Sequence, residues 1–289
     1  MNKLRGIILA FLVVGSLNQA LAQSAHNPNG RPFKGALAVQ LWSFPNDFKT
    51  DVPGTLKRVR ELGFTYVELA GYYGLTAKQF RAELDKASLK AISMHIEYRV
   101  ARDRIDEVIR DAKILGVQYV GVPWIKSPFS RSDCLAAIND FNQAGRKLRA
   151  NGLKFFYHLH GYEFVPNEGG KGTLFDLLMT KTNPRFVSMQ LDTFHVVYPG
   201  QDPAKLMRRY PGRFSSLHLK DIRKDVTGDN SGDFKDADGR PLGEGKIDWP
   251  EVLKAAHREG VRWYIIEDET AGVWDGIARS LKYLQQIHF

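Results

Sequence analysis

The sequence predicts one α/β domain, a closed (β/α)8 barrel, on three observations. Apolar runs of strand length alternate with segments of helical period eight times. The runs lack a polar residue at every second place, as strands buried on both faces do. The alternating part spans about 250 residues, the size of eight such units closed into a barrel.

The predicted strands are Leu37–Leu41, Tyr66–Leu69, Ala91–His95, Tyr119–Pro123, Lys154–His160, Phe186–Asp192, Phe214–Lys220 and Trp263–Glu267. All are short and rich in Val, Ile, Phe and Tyr. Between them lie amphipathic segments predicted as helices: Pro53–Leu62, Thr76–Ser88, Ala101–Leu115, Ser132–Asn151, Thr173–Thr182, Pro203–Tyr210, Trp249–Glu259 and Asp275–His288. Thr76 and Ser132 are placed to cap two of them. Gly63, Gly116, Gly152 and Gly260 stop four, each a residue or two before the next strand, where a left-handed residue satisfies orphan carbonyls. An open doubly wound sheet is the competing architecture. No Gly-rich turn follows the first strand, which runs Gln40-Leu41-Trp42-Ser43-Phe44, so the nucleotide-binding version of that alternative falls away.

The first residues read as a leader outside the fold. Lys3 and Arg5 form a positive start, Ile7 to Val14 an apolar run, and Ala20-Leu21-Ala22 a small-x-small cleavage site. The domain plan is therefore 1–22 signal peptide, 23–34 flexible lead and 35–289 barrel, in an exported protein, periplasmic or secreted, with no stable membrane anchor. Cys134 is the only cysteine, so no intramolecular disulfide forms and the core alone must hold the fold. The net charge of +9 is scattered, without the basic stripe and interleaved aromatics of a nucleic-acid binder.

Functional groups of such a barrel collect at the carboxyl ends of the strands. The polar residues there are Gln40 with Trp42, Glu68, His95 with Glu97 and Tyr98, Trp124, His158 and His160 with Glu163, Asp192 with His195, His218 with Lys220, and Glu267. Five histidines fall at these ends. His158 and His160, two apart on a predicted strand, share a face. A lone histidine in such a place is ordinarily a core residue bonded to backbone. The cluster does not fit that account, because Asp192 and Glu267 would be carboxylates without a charge partner. Imidazoles and carboxylates converging from several strands form a set for one divalent ion, Mn, Zn, Co or Mg. Trp42, Phe44, Trp124 and Trp274 lie in loops on the same side, placed to stack on a sugar or to pack the loops.

At these residues the chain resembles the xylose-isomerase-like TIM-barrel sugar isomerases and epimerases. The resembling segments are Val39-Gln40-Leu41-Trp42-Ser43, Tyr66-Val67-Glu68-Leu69, Tyr157-His158-Leu159-His160 through Glu163-Phe164, Leu191-Asp192-Thr193-Phe194-His195, Leu217-His218-Leu219-Lys220-Asp221, Gly243-Glu244-Gly245-Lys246-Ile247-Asp248-Trp249 and Ile265-Ile266-Glu267. The resemblance implies a metal held by Asp192, His218 and Glu267, with His158 in a fourth place where the family carries Glu. It also implies chemistry by proton abstraction beside a carbonyl, with the enediolate stabilised by metal. In epimerases of the family the two ligand glutamates exchange the proton across the substrate; here Glu267 alone remains of that pair. Glu267, Glu163 and His160 are the candidates to move the proton, and Lys220 adds positive charge. Gln40, Trp42, Glu68, His95, Trp124, His195 and Lys220 are candidates to bind substrate.

The leading expectation is a sugar isomerase or epimerase acting on a small-molecule sugar. The alternative is a lyase that eliminates the aglycone of a 3-keto-glycoside, which needs one base and suits export. A repair endonuclease on the same barrel fits His95 and Asp192-x-x-His195. The stretch Asp229-Asn230-Ser231-Gly232-Asp233 lacks the Asp-x-His that a third zinc would need, and no nucleic-acid partner is expected. A non-catalytic sugar-binding protein is the remaining reading. Assembly into a homo-oligomer is left open.

Overall fold

The computed structural model describes residues 30–289. The signal-peptide prediction lies outside the described residues. Eight parallel strands close into one barrel: β1 (Ala36–Gln40), β2 (Tyr66–Leu69), β3 (Lys90–His95), β4 (Tyr119–Val122), β5 (Lys154–His158), β6 (Val187–Asp192), β7 (Phe214–Leu219) and β8 (Trp263–Ile266). They stand in chain order, and β8 pairs with β1. The register sets Gln40 level with Glu68, His158 with Gln190 and Asp192 with His218.

The strands pack two cores. Side chains that point outward, such as Val39, Val67, Val120, Tyr157 and Leu217, join a continuous apolar shell under the helices. Inside the barrel a small plug of Ala38, Ile92 and Ile265, with Tyr66 and Trp263, fills only the lower part. The inward places above it carry Gln40, Glu68, Ser93, His95, Gln190 and His218, joined by hydrogen bonds. A buried polar layer of this kind is tolerated only when its members bond to one another.

The helices keep the expected pattern with local differences. Gly63, Gly116, Gly152 and Gly260 all take positive φ, between 77° and 102°. The segment expected as one helix over Ala101–Leu115 is two, Tyr98–Asp103 and Ile105–Leu115, with Arg104 between them. The long helix Arg131–Ala150 is capped by Ser130, not Ser132; Ser130 and Asp133 form a capping box. Two short helices, Pro45–Thr50 and Thr193–Val197, were not expected. Nor is the described end of the lead loose. Arg31 N donates to Phe289 O (2.9 Å) and Phe289 N to Arg31 O (3.0 Å), clasping the lead to the last residues. Among the described residues no helix is long and apolar enough to cross a membrane.

Candidate functional site

The carboxyl ends of the strands surround a cavity of about 620 Å³, within the range of small-molecule sites. Trp42, His95, Trp124, His158, His160, His195, His218, Lys220 and Glu267 of the expected set line it. Gln40 and Glu68 do not; both are fully buried in the polar layer beneath. Glu68 is the centre of that layer. It accepts from Gln40 Nε2 (2.8 Å), Ser93 Oγ (2.5 Å) and Gln190 Nε2 (2.9 Å), and pairs with His218 Nε2 (2.6 Å) and His95 Nε2 (3.2 Å). Their part is to hold the histidines above.

His218 stands between acids on both ring nitrogens. Its Nδ1 lies 2.8 Å from Glu267 Oε2 and 3.6 Å from Asp192 Oδ2. Burial works against a charged ring here, but Glu267 and Glu68 outweigh it and hold His218 well above the usual histidine range. Glu68 is held well below the carboxylate range; His95 and His218 outweigh its burial. In Glu267, Lys220 and His218 outweigh burial and bring the carboxyl to about 2.

Asp192, His218 and Glu267 bring one ligand atom each within 4.8 Å of one another. Asp192 Oδ1 is used as the cap of the helix Thr193–Val197, accepting from His195 N (3.0 Å). Its Oδ2 is buried with no hydrogen-bond partner, as a ligand oxygen would be in the absence of its ion. With an ion on the Nδ1 side, the Nε2–H of His218 would still be donated to Glu68, the arrangement by which a carboxylate orients a metal-bound imidazole. The three residues therefore fit a divalent ion. His158, expected as a fourth ligand, is not in that group. Its ring centre is 4.6 Å from that of His218, but its ligand atoms group with His95 and His218, and with His160 and His195.

The other side of the mouth is a trio of imidazoles. Burial, reinforced by neighbouring positive groups, holds His158 and His195 well below the usual range and His160 at about 3. His160 lies beyond the end of β5, in the turn made by Gly161 at φ 93°, so the shared strand face expected for it does not exist. The turn still sets the two rings 4.9 Å apart.

Glu163 does not reach the cavity. Tyr157 alternates with His158 and so points into the outer shell, onto Phe141. Glu163 joins it there and accepts from the Tyr157 hydroxyl and from the amides of His160 (3.2 Å) and Gly161 (2.8 Å). Burial pushes its carboxyl up to about 7, against those donors. It shapes the turn that carries His160, and the expectation that it moves a substrate proton is set aside. Phe44 and Trp274 also leave the cavity: they stack on each other at 4.1 Å.

Several residues escaped the sequence reading. Glu269 pairs with Lys220 and accepts from Trp42 Nε1 (2.8 Å). The ammonium of Lys220 is fully buried but is held above its ordinary range, because Glu269, Glu267 and Asp192 outweigh desolvation. Gln190 accepts at Oε1 from His158 Nδ1 (2.8 Å), and its amide donates to Glu68. Gln190 was legible by period two from Asp192 on β6, whereas Glu269 lies beyond the end of β8 and carried no such mark. Asp221 gathers the amides of Ile222, Gly243, Gly245 and Ile247 and the Trp249 indole. This fastens the Gly243-Glu244-Gly245 segment to the end of β7.

Comparison with known proteins agrees with this architecture. A family model described as xylose isomerase-like TIM barrel matches residues 56–287. The chain is 26% identical over 279 residues to an inosose dehydratase of Geobacillus kaustophilus, covering 82% of this chain and 88% of that one. To an inosose dehydratase of Clostridium tetani it is 30% identical over 184 residues, covering 63% of this chain and 58% of that protein. Among solved structures, a sugar phosphate isomerase/epimerase from Parabacteroides distasonis superposes with a TM-score of 0.70 at 27% identity, covering 88% of this chain and 95% of that one. Matched over most of its length by the family model, with the closed parallel barrel that model describes, the chain belongs to the xylose isomerase-like TIM barrel family.

Proposed function

We propose that this protein is a metal-dependent lyase that eliminates a β-substituent from a keto-sugar or a keto-sugar-like ring, after one proton is taken beside the carbonyl. The observation that carries the reading is the asymmetry of the mouth. Glu267 and Glu269 stand together beside Lys220, whereas the end of β5 and the helix after β6 turn only the imidazoles His158, His160 and His195 into the cavity; Glu97, the remaining carboxylate of the lining, is exposed beyond β3 and paired with Arg99. An epimerase must deliver a proton to the opposite face of the carbon; an elimination need not. The dehydration named for the two curated relatives is a reaction of this kind.

In this reading Asp192, His218 and Glu267 hold the ion, with Glu68 steadying His218. A bound divalent ion supplies positive charge to the substrate oxygens. Glu267, ionised in a dry site, accepts the proton. Lys220, kept charged by Glu269 and Glu267, donates to the oxygen on which negative charge grows. The leaving oxygen takes up the proton that Glu267 accepted and departs as water or an alcohol, which restores the base. The aromatic wall of Trp42, Trp124 and Phe234 gives the ring and its aglycone an apolar surface. A second reading, same-face isomerisation by the same base, is favoured by the name of the Parabacteroides distasonis structure. Export belongs to the proposal as well: cleavage after Ala22 makes Gln23 the mature N-terminus, which mass spectrometry of the exported protein checks.

The test is reaction in deuterated water with Mn added, against free sugars, keto-cyclitols and 3-keto-glycosides, monitored by proton NMR. Release of water or aglycone with formation of an enone is expected. Clean inversion at the exchanging carbon, with nothing released, would overturn the lyase reading.

A further inference from the structure

The imidazoles of His158, His160 and His195 form a second cluster beside the acids around His218, with His158 next to the His218 ring at 4.6 Å. Their ring centres lie 4.9 Å (His158–His160), 4.2 Å (His160–His195) and 6.1 Å (His158–His195) apart. One nitrogen of each lies within 4.8 Å of the others. Hydrogen bonds leave a nitrogen free on two of them. His158 donates its Nδ1–H to Gln190 Oε1, whose own amide is committed to Glu68, so the His158 Nε2 lone pair is free. His160 Nδ1 is buried without a hydrogen-bond partner. A buried ring nitrogen with no hydrogen bond, beside two further imidazoles, is placed to take a cation.

We propose that His158, His160 and His195 bind a second divalent ion, beside the one at Asp192, His218 and Glu267. An all-nitrogen set of three imidazoles, with its remaining positions open to the cavity, selects late first-row ions such as Zn or Co over Mg or Ca. The oxygen-rich group has no such preference, so the two places differ in the ions they accept. Positive charge is balanced nearby, since Lys220 is already paired with Glu269 and the layer below carries Glu68. The inference does not depend on which reaction the enzyme performs.

The full chain, stripped with chelator, is titrated with Co2+ alone, and bound cobalt is counted by elemental analysis alongside the visible spectrum. Two ions per chain are expected. His160→Gln and His195→Gln should each lower the count to one and remove the band of the nitrogen-rich site. Asp192→Asn should also lower the count to one but keep that band. Thermal melting checks that each variant folds; His160→Gln alone decides if His195→Gln does not, because the His195 amide also belongs to the capped turn. One ion in the wild type, an unchanged count in His160→Gln, or loss of both ions in Asp192→Asn would overturn the second site. The one-ion lyase reading survives each of these outcomes; it fails instead if Asp192→Asn leaves the wild-type cobalt count unchanged.

Discussion

The two sides of the barrel mouth hold the same side chain in opposite charge states. His218, among Glu68, Asp192 and Glu267, is held well above the usual histidine range; His158, His160 and His195 are held well below it. Burial acts on all four in the same direction, so it cannot be the cause of the difference. The carboxylates are. Three of them surround His218, whereas the trio meets one another, Gln190, Trp124 and Phe234. The acids thus decide which imidazole carries a proton and which is left with a lone pair. Four substitutions test that division, from the largest expected effect to the smallest.

Glu267→Gln removes an acid from the charged side and, in the proposed function, the base itself. Its kcat is expected to fall about 10²- to 10⁴-fold, measured as aglycone release and solvent deuterium exchange. Loss of less than tenfold would place the base elsewhere. Glu68→Gln attacks the comparison from below. Leaving His218 without its lower acid should cost about 3–5 kcal/mol in urea unfolding of the metal-free protein. The imidazole nitrogen spectrum of His218 should move toward the neutral form, while His158 and His195 stay as they were. A His218 spectrum that does not move would break the account.

Glu163→Gln acts behind the neutral side. With its folded pKa raised to about 7 from an ordinary 4.5, Glu163 favours the fold in its protonated form. That contribution is complete below about pH 4.5 and is lost as pH rises through 7. The wild type should lose about 3 kcal/mol from this group between pH 4.5 and 8. The glutamine variant should lack that slope, as unfolding midpoints at the two pH values will show. Trp42→Phe has the smallest expected effect. It removes the indole donor to Glu269 at the half-exposed rim, and KM is expected to rise about three- to tenfold with kcat little changed. A fall in kcat instead would mean that Trp42 governs the Lys220–Glu269 pair.

Much of the barrel was legible because its signals are local. Runs of Val, Ile and Phe mark the strands, and glycines that need positive φ mark four helix ends. The break at Arg104 left no such mark: neither Pro nor Gly interrupts Asp103-Arg104-Ile105, and only packing reveals it. The helices Pro45–Thr50 and Thr193–Val197 are too short to show a period. In the site, residue type and strand end were enough to gather the histidines with Asp192 and Glu267. Direction was not legible. Glu163 stands three residues from His160 in the chain yet faces the other layer, because β5 ends at His158 and the turn at Gly161 redirects the chain beyond it. Glu68 and Gln40 carry the right chemistry one layer too deep to line the cavity.

The stretch between β7 and the Gly243 segment leaves the barrel and returns through a narrow gate. Asp221–Ile222 pairs antiparallel with Gly239–Arg240, and Arg223 N donates to Asp238 O (2.8 Å). From the excursion between, Phe234 reaches the cavity, its ring 4.2 Å from Lys220 Nζ and 5.0 Å from the ring of His195. Such an excursion is a cassette. Its two ends are anchored independently of what lies between, and Asp221 fastens the anchor to the strand that bears His218. Residues 224–236 can therefore be exchanged for a different loop while both anchors and the Asp192, His218 and Glu267 group keep their places, and the cavity would receive a new wall where Phe234 now stands. For a designer, this is the place to graft a different substrate preference; for a lineage, it is where one barrel drifts from one small molecule to another.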